Sequence, residues 1–107
     1  MGKYTLTVTP RAEHVLDGIY EYGAQKFNDS YARKFVSGLV KQIKSLRSQP
    51  KLGFKEPMLE GHPLDYRSLV IHKFFKAIYF IDEPSKVIYV VDIWDTRMIP
   101  DNLSDRI

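Results

Sequence analysis

Near the end of the chain an apolar run, Val87 to Val91, leads into Asp92, Ile93, Trp94, Asp95, Thr96 and Arg97, and Pro100 closes the segment. An indole, a carboxylate and a guanidinium at the lip of a buried strand form a set that could grip an anion or a base. Trp94 offers a stacking platform, and Arg97 offers charge and a planar fork of donors. Two more cations lie on neighbouring runs. Lys76 interrupts the apolar segment Phe74 to Asp82 and shares a face with Ile78 and Phe80; Arg67 begins the run before it. An antiparallel neighbour reverses direction, so these strand ends are expected to converge. Aromatic and cationic groups so gathered suit single-stranded RNA. Each residue also has a plain structural reading. A turn at Asp82–Ser85 in its simplest register puts Lys76 near Asp92 as a cross-strand ion pair, and Trp94 serves equally well as core.

The remaining motifs narrow the chemistry. There is no Gly-rich phosphate loop, no HExxH and no GxSxG, and His14, His62 and His72 are scattered over helix, loop and turn, so neither a metal site nor a cofactor is expected. The absence of cysteine removes disulfides, thiolate ligands and cysteine nucleophiles, and it fits a cytoplasmic protein. No apolar run approaches the roughly 18–20 residues that cross a bilayer, and MGKYTLTV does not read as a secretory leader. A chain of 107 residues is expected to form one domain, 1–107, around one modest core. The net charge of +3 admits an anionic partner, nucleic acid or acidic protein, without choosing between them.

The elements that must position these groups follow from periodicity. Lys3 to Val8 alternates Tyr4, Leu6 and Val8 against Thr5 and Thr7, a half-buried strand. Thr9-Pro10 reads as an N-cap and first-turn proline, and Ala12, Val15, Leu16, Ile19, Tyr20, Gly23 and Phe27 recur at helical spacing, predicting a helix from Pro10 to Phe27. Asn28 to Ser30 breaks that helix and caps a second, whose apolar stripe is Ala32, Phe35, Val36, Leu39, Val40, Ile43 and Leu46. Arg33, Lys34, Lys41, Lys44, Arg47 and Lys51 fall opposite, either a solvated surface or a track for phosphates. Pro50 to Asp65, with three prolines and two glycines, reads as a long ordered loop, the kind that often carries function. Tyr66–Ile71, Phe74–Asp82 and Lys86–Trp94 are β-branched and aromatic, predicting an antiparallel meander. The order is β-α-α-β-β-β: an α+β fold whose antiparallel sheet is covered on one face by a helical hairpin.

That order, together with the length and charge, resembles the RelE/ParE superfamily of type II toxins, and in particular its ParE-like, plasmid-stabilisation members. FKEPMLEGHPLDYRSLVI resembles the family's approach to its second strand, FFKAIYFID its third, and VIYVVDIWDTR its ending, in which an aliphatic strand runs into a His-Gly-x-Arg-type terminus. Trp94 stands at the histidine of that pattern and Arg97 matches the arginine. The resemblance implies a growth-inhibiting toxin neutralised by a cognate antitoxin that wraps it with an otherwise flexible segment. RelE- and YoeB-like members cut messenger RNA on the ribosome, whereas ParE-like members inhibit DNA gyrase. The resemblance also assigns residues. Lys76 sits where RNA-cutting relatives place a basic third-strand residue, and Glu56 sits near their loop glutamate, the general base. The His-Tyr or Tyr positions of those relatives fall on Asp95 and Thr96 here.

Cleavage at a 2′-OH needs a base, cations around the phosphorane-like transition state, and an acid for the leaving oxygen. Glu56 could be the base, and Lys76, Arg67 and Arg97 could supply the charge. Asp95 could be the acid only with a pKa raised far above about 3.9. Two functions are therefore expected to compete: a ParE-like binding poison of DNA gyrase, and a ribosome-dependent mRNA endoribonuclease with a reduced catalytic set. A toxin that only binds its antitoxin is the third. Arg97 has a structural alternative as a partner of Asp17 or Glu21 on the first helix. The antitoxin is expected over the helical hairpin and the open sheet, against surfaces such as Tyr20, Phe35 and Phe74.

Overall fold

The computed structural model describes residues 3–98 and residue 107; the polar tail after Pro100 lies outside the described residues apart from Ile107. The elements are β1 (Thr5–Val8), α1 (Pro10–Lys26), α2 (Asp29–Lys44), β2 (Phe54–Lys55), β3 (Arg67–His72), β4 (Phe75–Asp82) and β5 (Val87–Asp95), with short 3-10 turns at Ser45–Arg47 and Pro57–Leu59. The sheet runs β1-β5-β4-β3-β2.

Two expectations are corrected. The loop from Pro50 contributes a fifth strand, the two-residue β2, which pairs antiparallel with β3 at Phe54–Ser68 and Lys55–Arg67. The sheet is also mixed, because β1 runs parallel to β5 from Thr5–Val87 to Val8–Val90. No hairpin joins β1 to β5. Its direction is set by the helices it feeds, so the alternation of the meander does not extend to it.

The helices start where the sequence caps them. The Thr9 hydroxyl accepts from the Ala12 amide at 3.4 Å, with Pro10 in the first turn, and Asn28 Oδ1 accepts from the Tyr31 amide at 2.7 Å. They cross closely where both sides are small: a Cβ at Gly23 would lie 3.3 Å from that of Ala32. Their apolar faces cover one face of the sheet, where Ala12, Leu16, Leu39, Ile43 and Leu46 pack on Leu69, Ile71, Ala77, Tyr79, Ile88, Val90 and Ile93. The opposite face carries a smaller core of Leu59, Ile78 and Trp94, flanked by Met58, Tyr66, Val91 and Ile107.

One irregularity in β5 decides which residues reach that second face. Tyr79 pairs with Val90, but Ile78 pairs with Asp92, so Val91 is an extra residue in the ladder. Such a bulge reverses the alternation beyond it. Up to Val90 the even-numbered residues of β5 face the helices. After the bulge Ile93 does, and Asp92 and Trp94 turn to the far side.

Candidate functional site

The far face gathers a closed polar cluster. Lys76 lies directly opposite Trp94, with Asp92 two residues back on the same face opposite Ile78, and the ion pair it makes is with Glu56. Its ammonium sits 2.5 Å from Glu56 Oε1, 5.4 Å from the Trp94 ring centroid and 6.0 Å from that of Phe54. Glu56 arrives from the loop just after β2 and is 3 % exposed. Its Oε1 also accepts from Ser68 Oγ at 2.5 Å, and its Oε2 accepts from the Met58 amide at 3.0 Å, capping the Pro57–Leu59 turn. Burial alone would raise this carboxyl's pKa; the hydrogen bonds from Lys76, Ser68 and Met58 outweigh it and hold the group below its ordinary value. Trp94 is fully buried and donates its indole N–H to Asp92 Oδ2 at 3.0 Å, while Asp92 Oδ1 accepts from the Ile93 amide at 2.8 Å. The indole is therefore core, not an open stacking platform.

Asp95 and Arg97 lie elsewhere. Asp95 pairs with Phe75, which packs with the helix-side core, so this carboxylate faces away from Lys76 and Trp94. Arg97 folds back onto Asp95 in a two-pronged pair, Nε to Oδ1 at 2.9 Å and Nη2 to Oδ2 at 2.8 Å, and stacks 4.4 Å from the Phe74 ring centroid. The partner expected on α1, Asp17 or Glu21, is replaced by a carboxylate two residues away. The Arg97 guanidinium holds the Asp95 carboxyl below the usual range, the opposite of what an acid catalyst needs.

Arg67 joins neither group. β3 and β5 both run antiparallel to β4 and hence share a direction, so the start of β3 and the end of β5 are at opposite ends of the sheet. Arg67 pairs with Tyr79 on the helix side, and its Nε is buried without a hydrogen-bond partner among the described residues. There it faces the Tyr79 phenol, which donates to the Pro50 carbonyl at 2.7 Å and accepts from the Gly53 amide at 3.0 Å, pinning the loop to the sheet. Burial pushes this phenol's pKa up against the opposing effects of the Gly53 amide and the Arg67 charge.

Asp95 and Arg97 instead rim a groove of about 780 Å³ between the helical hairpin and the β3–β4 turn. Its walls carry six phenyl and phenol rings: Tyr22, Phe27, Tyr31, Phe35, Phe74 and Phe75. Phe27 and Tyr31 have their ring centroids 4.7 Å apart, and Phe35 meets His72 edge-on at 4.9 Å. Tyr22, Phe27 and Tyr31 are 66 %, 59 % and 49 % exposed, large for apolar rings on one surface. Of the three surface residues named from sequence, Phe35 and Phe74 line the groove, while Tyr20 spends its hydroxyl on Asp29 at the helix junction. Gly18 also lines it, and a Cβ there would touch nothing within 4 Å. Sequence reasoning placed Phe27 in the core stripe; three aromatics at a helix–helix junction were the available signal that the stripe continues past what the sheet can cover. Among the described residues no group of three His, Asp or Glu is placed to hold a metal, and no helix is long and apolar enough to cross a membrane.

A two-helix hairpin over one face of a five-stranded mixed sheet is the RelE/ParE-like toxin fold. More narrowly, the sequence profile of the ParE toxins of type II toxin–antitoxin systems, parDE, matches residues 6–100, and this chain belongs to that family. Among solved structures, a chain of the chromosomal ParDE toxin–antitoxin system from P. aeruginosa is 25 % identical with a TM-score of 0.73, covering 89 % of this chain and 98 % of that one. A chain of the RelBE2 toxin–antitoxin complex from Mycobacterium tuberculosis shares the fold at 17 % identity and a TM-score of 0.61, over 89 % and 93 % of the two chains. A chain of the archaeal RelE–RelB complex from Pyrococcus horikoshii OT3 does so at 16 % and 0.56, over 92 % and 100 %. No curated protein sequence matches.

Proposed function

We propose that this toxin is a binding poison of the ParE type, acting on DNA gyrase without chemistry of its own, and that a cognate antitoxin neutralises it. One observation carries the choice over the endoribonuclease reading. Glu56, the candidate base, is buried with both carboxylate oxygens engaged, and its partner is Lys76, the candidate phosphate-binding cation. Using either residue on RNA means opening the pair and the turn that Glu56 caps. The candidate acid, Asp95, is held ionised by Arg97 on the other side of the sheet. The candidate acid does not share a surface with the base and the cation, which are locked to each other.

The antitoxin reading is supported by the company this fold keeps: the similar chains from P. aeruginosa, M. tuberculosis and P. horikoshii come from ParDE, RelBE2 and RelE–RelB systems. The aromatic groove suits an amphipathic segment laid along it, and Gly18 leaves room for close approach of its backbone.

The test is induction of the chain in growing cells, with primer extension on messenger RNA beside a supercoiling assay with purified gyrase. Growth arrest with intact messages and inhibited supercoiling is expected, and Glu56→Gln leaves both unchanged. New 5′ ends inside coding regions that vanish in Glu56→Gln would replace this reading with the ribosome-dependent nuclease.

A further inference from the structure

Charge is distributed unevenly along this chain. From Ser30 to Lys55 there are seven lysines and arginines and no acid, while the other 81 residues hold nine cations against thirteen acids. Lys34, Lys41, Lys44, Arg47 and Lys51 are exposed, and none of their side chains makes an ion pair or hydrogen bond among the described residues. At 100° and about 1.5 Å per residue, Lys34, Lys41 and Lys44 fall within about 80° of one another along α2, and the row extends about 20 Å to Arg47. The helix macrodipole accounts for cations in the last turn. It does not account for Lys34 near the start, for Lys51 beyond the end, or for the lack of any acid between them.

Between the lysines the surface is small. Ser37, Gly38 and Ser48 are exposed, and a Cβ at Gly38 would touch nothing within 4 Å, so no neighbour in this fold requires glycine there. We propose that this outer face of α2 binds the phosphate backbone of duplex DNA, without sequence preference. No aromatic ring falls within the arc of Lys34, Lys41 and Lys44; the nearest exposed ring on α2, Tyr31, stands on the flank in the wall of the aromatic groove, so the arc itself lacks the stacking groups of a single-strand site and the aromatic anchors of a protein interface. It is a convex, straight ridge. The major groove of B-DNA, about 12 Å wide, admits a helix, whereas that of A-form RNA is too deep and narrow. The small residues let the helix backbone approach while the lysines reach phosphates on either side. The arc of lysines adjoins the aromatic groove along α2 without lining it and lies apart from the Glu56–Lys76 cluster, and the inference does not depend on the choice between gyrase and ribosome.

Fluorescence anisotropy of a labelled 20-base-pair duplex with the full chain tests it. Four phosphate contacts give a slope of about −3.6 in log K against log salt, so affinity falls about 150-fold between 50 and 200 mM. Lys34→Gln/Lys41→Gln/Lys44→Gln brings the slope to about −1 and weakens binding more than tenfold at 50 mM. The control Arg11→Gln/Lys26→Gln/Lys86→Gln removes the same charge from other exposed positions and leaves the slope near that of the parent. Three results overturn the proposal: no duplex binding at 50 mM, an equal loss in both triple variants, or tighter binding of duplex RNA or single-stranded DNA of the same length. The parent's salt slope and the nucleic-acid comparison need no variant, so they decide the matter even if a variant fails to fold.

Discussion

Replacing Lys76 by methionine keeps the apolar stem against Phe54 and Trp94 and removes only the ammonium. The Glu56 side chain, 1 % exposed, is then a buried carboxylate held by Ser68 and the Met58 amide alone. Breaking a fully buried pair this way costs about 3–5 kcal/mol. The Lys76 side chain is 17 % exposed and two hydrogen bonds to Glu56 survive, so the lower end applies, about 3 kcal/mol. That is a large share of the roughly 5–15 kcal/mol expected for a chain of this size, and it lowers the urea midpoint by about 1.5 M at an m-value of about 2 kcal/mol/M.

The pH dependence carries the sharper test. In the parent the Glu56 carboxyl sits below its ordinary value despite burial, so it contributes stability that is present above about pH 4.3 and is lost as the pH falls through its folded value. Without Lys76 burial dominates and the carboxyl moves up. The folded variant then takes up a proton more readily than the unfolded chain, and its deficit shrinks as the pH drops from 7 to 5. A deficit under about 1 kcal/mol at pH 7, or one that is flat over that range, would refute the reasoning. The result also governs how toxicity is read: loss of activity in Lys76→Ala cannot be assigned to catalysis until the variant is shown to be folded, and Glu56→Gln is the cleaner probe.

Other outcomes follow from single contacts. Tyr79→Phe deletes the phenol that joins Pro50 to Gly53 and should cost about 1–2 kcal/mol in urea, with faster hydrogen exchange at the Gly53 amide. Gly18→Ala, on an open helix face, should stabilise by up to about 1 kcal/mol, whereas Gly23→Ala, tight against Ala32, should destabilise; melting temperatures in the reverse order would sink the packing account. The same Gly18→Ala should weaken co-purification with the antitoxin if the groove is its seat. Arg97→Ala removes an exposed, solvent-screened pair and should leave the urea midpoint nearly unchanged, while a carbon NMR titration should show the Asp95 carboxyl rising towards its ordinary value.

The fold was legible because its punctuation is strong. Thr9-Pro10 and Asn28 begin helices, the turn around Glu83–Lys86 joins two strands, and apolar periods of 3.6 and 2 assign the rest. What was not legible depends on partners far along the chain. Nothing local tells that Phe54-Lys55 finds Ser68 and Arg67, or that β1 lies parallel to β5. The candidate site failed as a single unit for a reason that lies in the strand itself. Trp94 and Asp95 are consecutive in β5, and successive side chains of a strand point to opposite faces. They could never have shared a lip. Which face each took was decided by Val91, an extra residue that neither glycine nor proline announces. It turns Trp94 under Lys76, where it is sealed, and Asp95 towards the helices, where it holds Arg97 at the mouth of the aromatic groove. Had the register run straight, Asp95 would have joined Lys76 on the far face and the indole would have pointed into the helical layer. One unpaired residue thus separates a closed electrostatic clasp from an open aromatic groove, and on that division the proposed choice of recognition over chemistry rests.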